Sequence, residues 1–289
     1  IVLDCGNGAT YDIAPNIFWE LGHDVISIND KPNGKNINYN CGAVNVSNLS
    51  KKVVDCKADI GFAFDGDGDR LIVVDNKGNE IDGDKIIALF AKYLINKKKL
   101  NSKFPVITTV MSNLGLENFL LNNLSIKLKR SSVGDIKVIE QMKKYKSILG
   151  GEESGGYSYA PHLKERDGTI SALLLLEQLV DSGISSQELY IKQKKKYGNY
   201  FFKRSDFEID QNTRNKLIKF IKDFNKNNLF NLDVESINKK DGLKINLNDN
   251  SWLLLRLSGT EPVARIYCES KNEKSVKELV SNFIKYIKL

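Results

Sequence analysis

The chain of 289 residues has only two histidines, His23 and His162, and four cysteines, Cys5, Cys41, Cys56 and Cys268. No two cysteines form a C-x-x-C pair, so their spacing defines neither a zinc site nor a dithiol redox centre. Their neighbours read as strand and helix packing, which fits a reduced, cytoplasmic setting. His23 follows the helix-ending Gly22 and reads as a surface cap, whereas His162 lies in the loop Ala160-Pro161-His162-Leu163. No spacing of serine, cysteine, histidine and aspartate defines a nucleophile with its base. A signal peptide and a long apolar run are both lacking, so a membrane is not an expected partner. Short internal repeats and low-complexity tracts are lacking too. So is an initiator methionine: the chain opens inside the strand Ile1-Val2-Leu3, and we expect a fragment whose amino-terminal part is missing.

Charge of neither sign is concentrated. The net charge of +7 comes from 43 basic and 36 acidic residues, with short runs at Lys97-Lys98-Lys99 and Lys194-Lys195-Lys196. No basic stripe interleaved with aromatics is present, so nucleic acid is not an expected partner. A small anionic substrate accounts for the modest basicity equally well. Hydrophobic residues at 41% and charged residues at 27% are ordinary for a soluble globular protein.

Asp65-Gly66-Asp67-Gly68-Asp69-Arg70 carries the most chemistry. Apolar runs, Phe62-Ala63-Phe64 and Leu71-Ile72-Val73-Val74, flank it and read as buried strands. The acids therefore sit in a tight loop at a strand end, where alternate residues can point the same way and glycines allow unusual backbone angles. Three convergent carboxylates repel one another unless a cation lies between them. Oxygen-only ligands suit a hard cation such as Mg²⁺. A calcium EF-hand spaces acids similarly but needs Gly at its sixth position and Glu at its twelfth, where Arg70 and Asn76 stand. A solvated acidic turn is the plainer alternative.

Strands alternating with helices predict an α/β class: two tandem α/β mixed-sheet domains, then a smaller α+β domain at the carboxy terminus. The expected boundaries are 1–82, 83–185 and 200–289, with a helical linker over 185–200. Gly150-Gly151-Glu152-Glu153-Ser154-Gly155-Gly156 is a glycine-rich loop with two carboxylates and a hydroxyl. Its acids would repel a phosphate, and no Gly-Lys-Ser/Thr follows. Its acceptors suit sugar hydroxyls, though a plain turn accounts for it as well. Arg256-Leu257-Ser258-Gly259-Thr260-Glu261-Pro262, with Arg265, lies between two apolar strands. Backbone N–H groups near Gly259, two hydroxyls and two guanidiniums suit a dianion. A Ser-Gly-Thr turn with surface arginines is the plainer reading.

Together the three motifs resemble the α-D-phosphohexomutase superfamily in order and spacing, over the whole chain. Full-length members have four domains, and this chain is similar to the second, third and fourth. The resemblance implies Mg²⁺ on Asp65, Asp67 and Asp69, and Arg70 beside the transferring phosphoryl group. It implies sugar binding by Glu152 and Ser154, and phosphate binding by Arg256, Ser258, Gly259, Thr260 and Arg265. The family's phosphoserine nucleophile has no counterpart here, so the chain alone should be inactive. Its partners would be a phosphosugar, the amino-terminal domain of the same protein and, at most, a second copy. Several segments look like the phosphoglucosamine mutase branch, among them Asp4-Cys5-Gly6-Asn7-Gly8 and Met111-Ser112-Asn113-Leu114-Gly115. One loop departs: that branch usually reads Gly-Glu-Gln-Ser-Gly-His, whereas Glu153 and Gly156 stand here, as in some phosphoglucomutase/phosphomannomutase members. The expected reaction is the interconversion of glucosamine 6- and 1-phosphate through a bisphosphate. A glucose or mannose phosphate mutase, or an inactive sugar-phosphate binder, stays open.

Overall fold

The computed structural model describes residues 1–198, 200–259 and 261–287. They form two compact units, residues 1–112 with 116–197, and 198–289 with 113–115.

The first unit holds two sheets. The first sheet is built from β1 (Val2–Asp4), β2 (Ile26–Ile28), β3 (Ile60–Phe64), β4 (Leu71–Asp75) and β5 (Glu80–Ile81), with helices α1 (Ile13–Glu20) and α2 (Ser47–Asp55) between the early strands. Its order is β2-β1-β3-β4-β5. β2, β1 and β3 run parallel, while β4 and β5 turn back antiparallel. β1, β3 and β4 are buried along their whole length, which explains their continuous apolar runs. The acidic loop is therefore the hairpin connection between a parallel strand and an antiparallel one.

The second sheet follows α3 (Gly83–Asn96) and is made of β6 (Val106–Thr109), β7 (Leu128–Ser131), β8 (Leu149–Gly151) and β9 (Tyr157–Tyr159), with α4 (Leu114–Leu124) and α5 (Asp135–Tyr145). Its order is β7-β6-β8-β9, with only β9 antiparallel. Gly150 and Gly151, expected in a loop, are strand residues of β8. A Cβ on Gly150 would meet Met142 Sδ at 2.5 Å, so the glycine lets α5 lie close to the sheet. Helices α6 (Gly168–Ser182) and α7 (Ser186–Tyr197) complete the unit. Asp82 caps α3, accepting from the backbone N–H groups of Asp84 and Lys85, and Asp167 caps α6, accepting from Ile170.

The second unit is one antiparallel sheet with two helices. Its elements are β10 (Phe201–Glu208), α8 (Gln211–Asp223), β11 (Asn228–Leu229), β12 (Leu232–Asn238), β13 (Leu243–Leu247), β14 (Trp252–Leu257), β15 (Val263–Ser270) and α9 (Glu273–Ile287). The strand order is β10-β15-β14-β13-β12-β11. The core joins alternate residues of the central strands, such as Leu253, Leu255, Ala264 and Ile266, to Leu217 of α8 and Val280 and Phe283 of α9.

Candidate functional site

Residues 65–70 link β3 to β4. Gly68 holds φ +77°, a conformation that side chains with a Cβ resist. Gly66 packs under residues 8–9: its carbonyl accepts from Ala9 N–H at 2.8 Å, and a Cβ on Gly8 would lie 2.4 Å from that oxygen. The loop is thus held in one shape, and one oxygen each of Asp65, Asp67 and Asp69 lies within 4.8 Å of the others. Asp65 is 1% exposed, whereas Asp67 faces solvent. Asp69 Oδ1 is enclosed without a hydrogen-bond partner. An all-oxygen donor set with an orphaned carboxylate oxygen fits a hard divalent cation such as Mg²⁺. Burial pushes the Asp69 carboxyl above its ordinary range; Arg166 opposes this, and Asp65 and Asp67 add to it. Arg70 holds the other end of the loop. Its backbone N–H donates to Asp65 Oδ1 at 3.0 Å and its Nε to Asp65 Oδ2, with Asp69 Oδ1 at 3.9 Å.

Residues 152–156 link β8 to β9. Glu152 is 5% exposed; its Oε1 accepts from Gly134 N–H at 3.0 Å and its Oε2 from Arg166 at 3.2 Å. Ser154 is exposed at the tip. Glu153 is half-buried, and its carboxyl accepts from Thr109 Oγ1 at 3.4 Å. Burial, reinforced chiefly by Asp84, pushes it up to about 8.

These two loops are one structure. Leu71 N–H donates to Gly155 O at 2.9 Å, Gly168 N–H donates to Gly68 O at 3.1 Å, and Arg70 pairs with Gly156 in an isolated antiparallel bridge. Arg166 joins their side chains. One guanidinium nitrogen donates to Asp69 and lies 3.6 Å from Asp135, and another donates to Glu152. Gly156 makes room for it: a Cβ there would lie 2.4 Å from Arg166 Cδ. The sequence reading missed Arg166. Its one local signal is its place directly before the α6 cap Asp167, and that signal does not reveal the loops it bridges.

In the second unit, residues 258–262 connect β14 and β15. Thr260 lies outside the described residues. Arg256 and Arg265 are directly opposite on the two strands, and Gly259 opens on space where a Cβ would meet nothing within 4 Å. Ser258 is buried, with its hydroxyl accepting from Glu261 N–H at 3.2 Å and its carbonyl from Arg214 at 2.8 Å. Arg214, from α8, was also missed. Both strand arginines carry carboxylate partners: Arg256 pairs with Asp241 at 3.1 Å, and Arg265 with Glu261 and with Asp206 at 3.5 Å. The two guanidiniums are therefore already paired with carboxylates of their own domain.

Among the described residues no helix is long and apolar enough to cross a membrane. Sequence patterns of the phosphoglucomutase/phosphomannomutase family match the chain in succession. Its alpha/beta/alpha domain II matches residues 1–78, its alpha/beta/alpha domain III residues 82–197, and its C-terminal domain residues 213–285. The phosphoglucosamine mutase of Bartonella bacilliformis is 40% identical over 288 residues, which are 99% of this chain and 59% of that protein. The phosphoglucosamine mutase of Nautilia profundicola is 40% identical over 295 residues, covering 100% of this chain and 60% of that one. The chain thus spans about 60% of the length of these curated relatives. Two solved structures share the fold. A phosphoglucomutase/phosphomannomutase family protein from Burkholderia thailandensis superposes with a TM-score of 0.82 at 24% identity, over 99% of this chain and 60% of its own. The open form of the Paramecium phosphoglucomutase parafusin gives 0.73 at 20% identity, over 99% and 56%. On the three consecutive domain matches, the chain belongs to the phosphoglucomutase/phosphomannomutase family of phosphohexomutases.

Proposed function

We propose that this chain supplies the metal-binding, sugar-binding and phosphate-holding parts of a phosphohexomutase that interconverts glucosamine 6- and 1-phosphate. The observation that carries this reading is the Arg166 clamp, which ties a carboxylate of the acidic loop to a carboxylate of the sugar loop. A metal loop and a hydroxyl-binding loop locked together suit phosphoryl transfer to a sugar, where most of catalysis is positioning and charge stabilisation.

In this reading Asp65, Asp67 and Asp69 hold Mg²⁺, which when bound neutralises charge on a phosphoryl group. Arg70 adds positive charge beside that group. Glu152 and Ser154 bind sugar hydroxyls. Arg256, Arg265, Ser258, Gly259 and Thr260 hold the phosphate that is not reacting, and must do so for both ends of a bisphosphate intermediate. The phosphoryl-carrying serine would lie outside these 289 residues, none of which resembles the family's serine loop. The 289 residues alone should therefore give no turnover.

The amino sugar is favoured by relatives named phosphoglucosamine mutase at 40% identity. Glu153 and Gly156 favour a second reading, glucose or mannose phosphate. Comparing kcat/KM for the three sugar phosphates on the full-length protein decides between them. A preference of at least about tenfold for glucosamine phosphate, or about 1.4 kcal/mol in the transition state, is expected. A preference for glucose or mannose phosphate would favour the second reading. Binding without turnover of any of the three would leave a sugar-phosphate binder.

A further inference from the structure

A cavity of about 380 Å³ lies between α3, α6 and α7, lined by Lys92, Lys97, Lys192 and Lys196 with a single carboxylate, Asp181. Asp181 is already engaged: Tyr93 Oη donates to it at 2.7 Å and Lys97 Nζ lies at 2.6 Å. Among the described residues, Lys92, Lys192 and Lys196 have no carboxylate within 4 Å. Lys192 and Lys196 stand four residues apart on α7, a spacing at which like charges destabilise a helix.

Beneath this rim two buried amides interrupt a largely apolar wall. Gln178 is 6% exposed and Gln193 5% exposed, and both line the cavity. Gln178 Oε1 and Gln193 Nε2 are enclosed with no hydrogen-bond partner. Each unsatisfied amide atom costs stability that rotation of its amide toward a ligand would recover.

The cavity is separate from the candidate site. α6 begins at Gly168, which touches the acidic loop, and reaches Asp181 about 20 Å further along its axis.

We infer that this cavity is a second anion site, for a small phosphorylated metabolite. Lys92, Lys192 and Lys196 bind its phosphate oxygens, and the two buried amides take its hydroxyl groups and remaining oxygens. Its volume falls in the range of small-molecule pockets and suits a molecule between a sugar phosphate and a mononucleotide in size.

Titration of the 289-residue chain with inorganic pyrophosphate, without divalent metal and followed by amide NMR shifts, tests this. Shifts should cluster on Leu89, Lys92, Gln178 and Gln193. The double variant Lys92→Gln/Lys192→Gln should weaken that response at least about tenfold. The double variant Lys194→Gln/Lys195→Gln removes the same number of charges, both from α7, without touching the cavity lining, and should change it less than about threefold. Equal losses in the two variants, or shifts confined to residues 256–265, would overturn the assignment. Thermal melts of both variants exclude unfolding as the cause.

Discussion

Arg256 and Arg265 stand directly opposite each other on adjacent antiparallel strands, β14 and β15. Like charges in that register are unfavourable, and here Asp241, Glu261 and Asp206 offset them. A phosphate dianion placed between the two arginines would compete with those carboxylates for them. Replacing Arg256 by alanine should weaken phosphate-ester binding by roughly 1.5–3 kcal/mol, the range for a charge-assisted hydrogen bond. Replacing Asp241 by asparagine should have the opposite sign, because it removes a competing anion. Calorimetric titration with glucosamine 6-phosphate reads both. Unchanged affinity in the alanine variant would remove Arg256 from the cradle.

The acidic loop gives a test that does not depend on turnover. Asp67 faces solvent, so asparagine there should leave the metal-free protein as stable as the parent. A ligand that binds only the folded chain raises its stability by mass action. Millimolar Mn²⁺ should therefore raise the melting temperature of the parent and not that of Asp67→Asn. In crystals soaked with Mn²⁺, the anomalous peak should lie among Asp65, Asp67 and Asp69. A peak elsewhere, with none at the loop, would end the metal assignment.

Glu153 ties stability to pH. Its carboxyl titrates ordinarily near 4.5 but is pushed up to about 8 in the folded chain by burial. A folded pKa above the unfolded one means that the folded state holds the proton more tightly. Stability is then fullest at acid pH and falls as pH rises from about 4.5 to about 8, by at most ~1.4 kcal/mol per pH unit. Above that window both states are ionised and the fall stops. Glu153→Gln keeps the shape without the charge. It should melt higher than the parent at pH 8, close to it at pH 5, and with a flatter profile between. An unchanged profile would mean that the Glu153 carboxyl is not the group responsible.

What was legible in the sequence was local. Acids at alternate positions between two apolar runs can only be a loop between buried strands, and β3 and β4 bear this out. The same holds for the two α/β sheet domains and the smaller α+β domain at the carboxy terminus. Features that depend on distant partners were not legible. Arg166 is 97 positions from Asp69, and nothing near it in the sequence marks the contact. Gly150 and Gly151 look like loop residues, but they pair with β9 as strand residues of β8, and Met142 packs where Gly150 lacks a Cβ. The carboxylates that partner Arg256 and Arg265 include Asp241 and Asp206, which lie outside the Ser-Gly-Thr motif.

Arg166 and Gly156 should behave as one unit. The arginine side chain fills the space a Cβ at position 156 would need, with Cδ only 2.4 Å from it. Gly156 does not hold a positive φ, so alanine is compatible with its backbone. The flexible arginine would give way instead, leaving Glu152 and Asp69 without the bridge between them. Gly156→Ala and Arg166→Gln should therefore each weaken glucosamine 6-phosphate binding by about tenfold, in the lower part of the range for a charge-assisted contact. Combining them should add little, because the second change removes what the first has already displaced. Lysine at 166 should rescue only in part, since an ammonium cannot reproduce a guanidinium's paired donors to two carboxylates. Calorimetry on the four variants closes the cycle. Fully additive losses, or a neutral Gly156→Ala, would show that the two residues act separately and that the loops hold their geometry without the clamp.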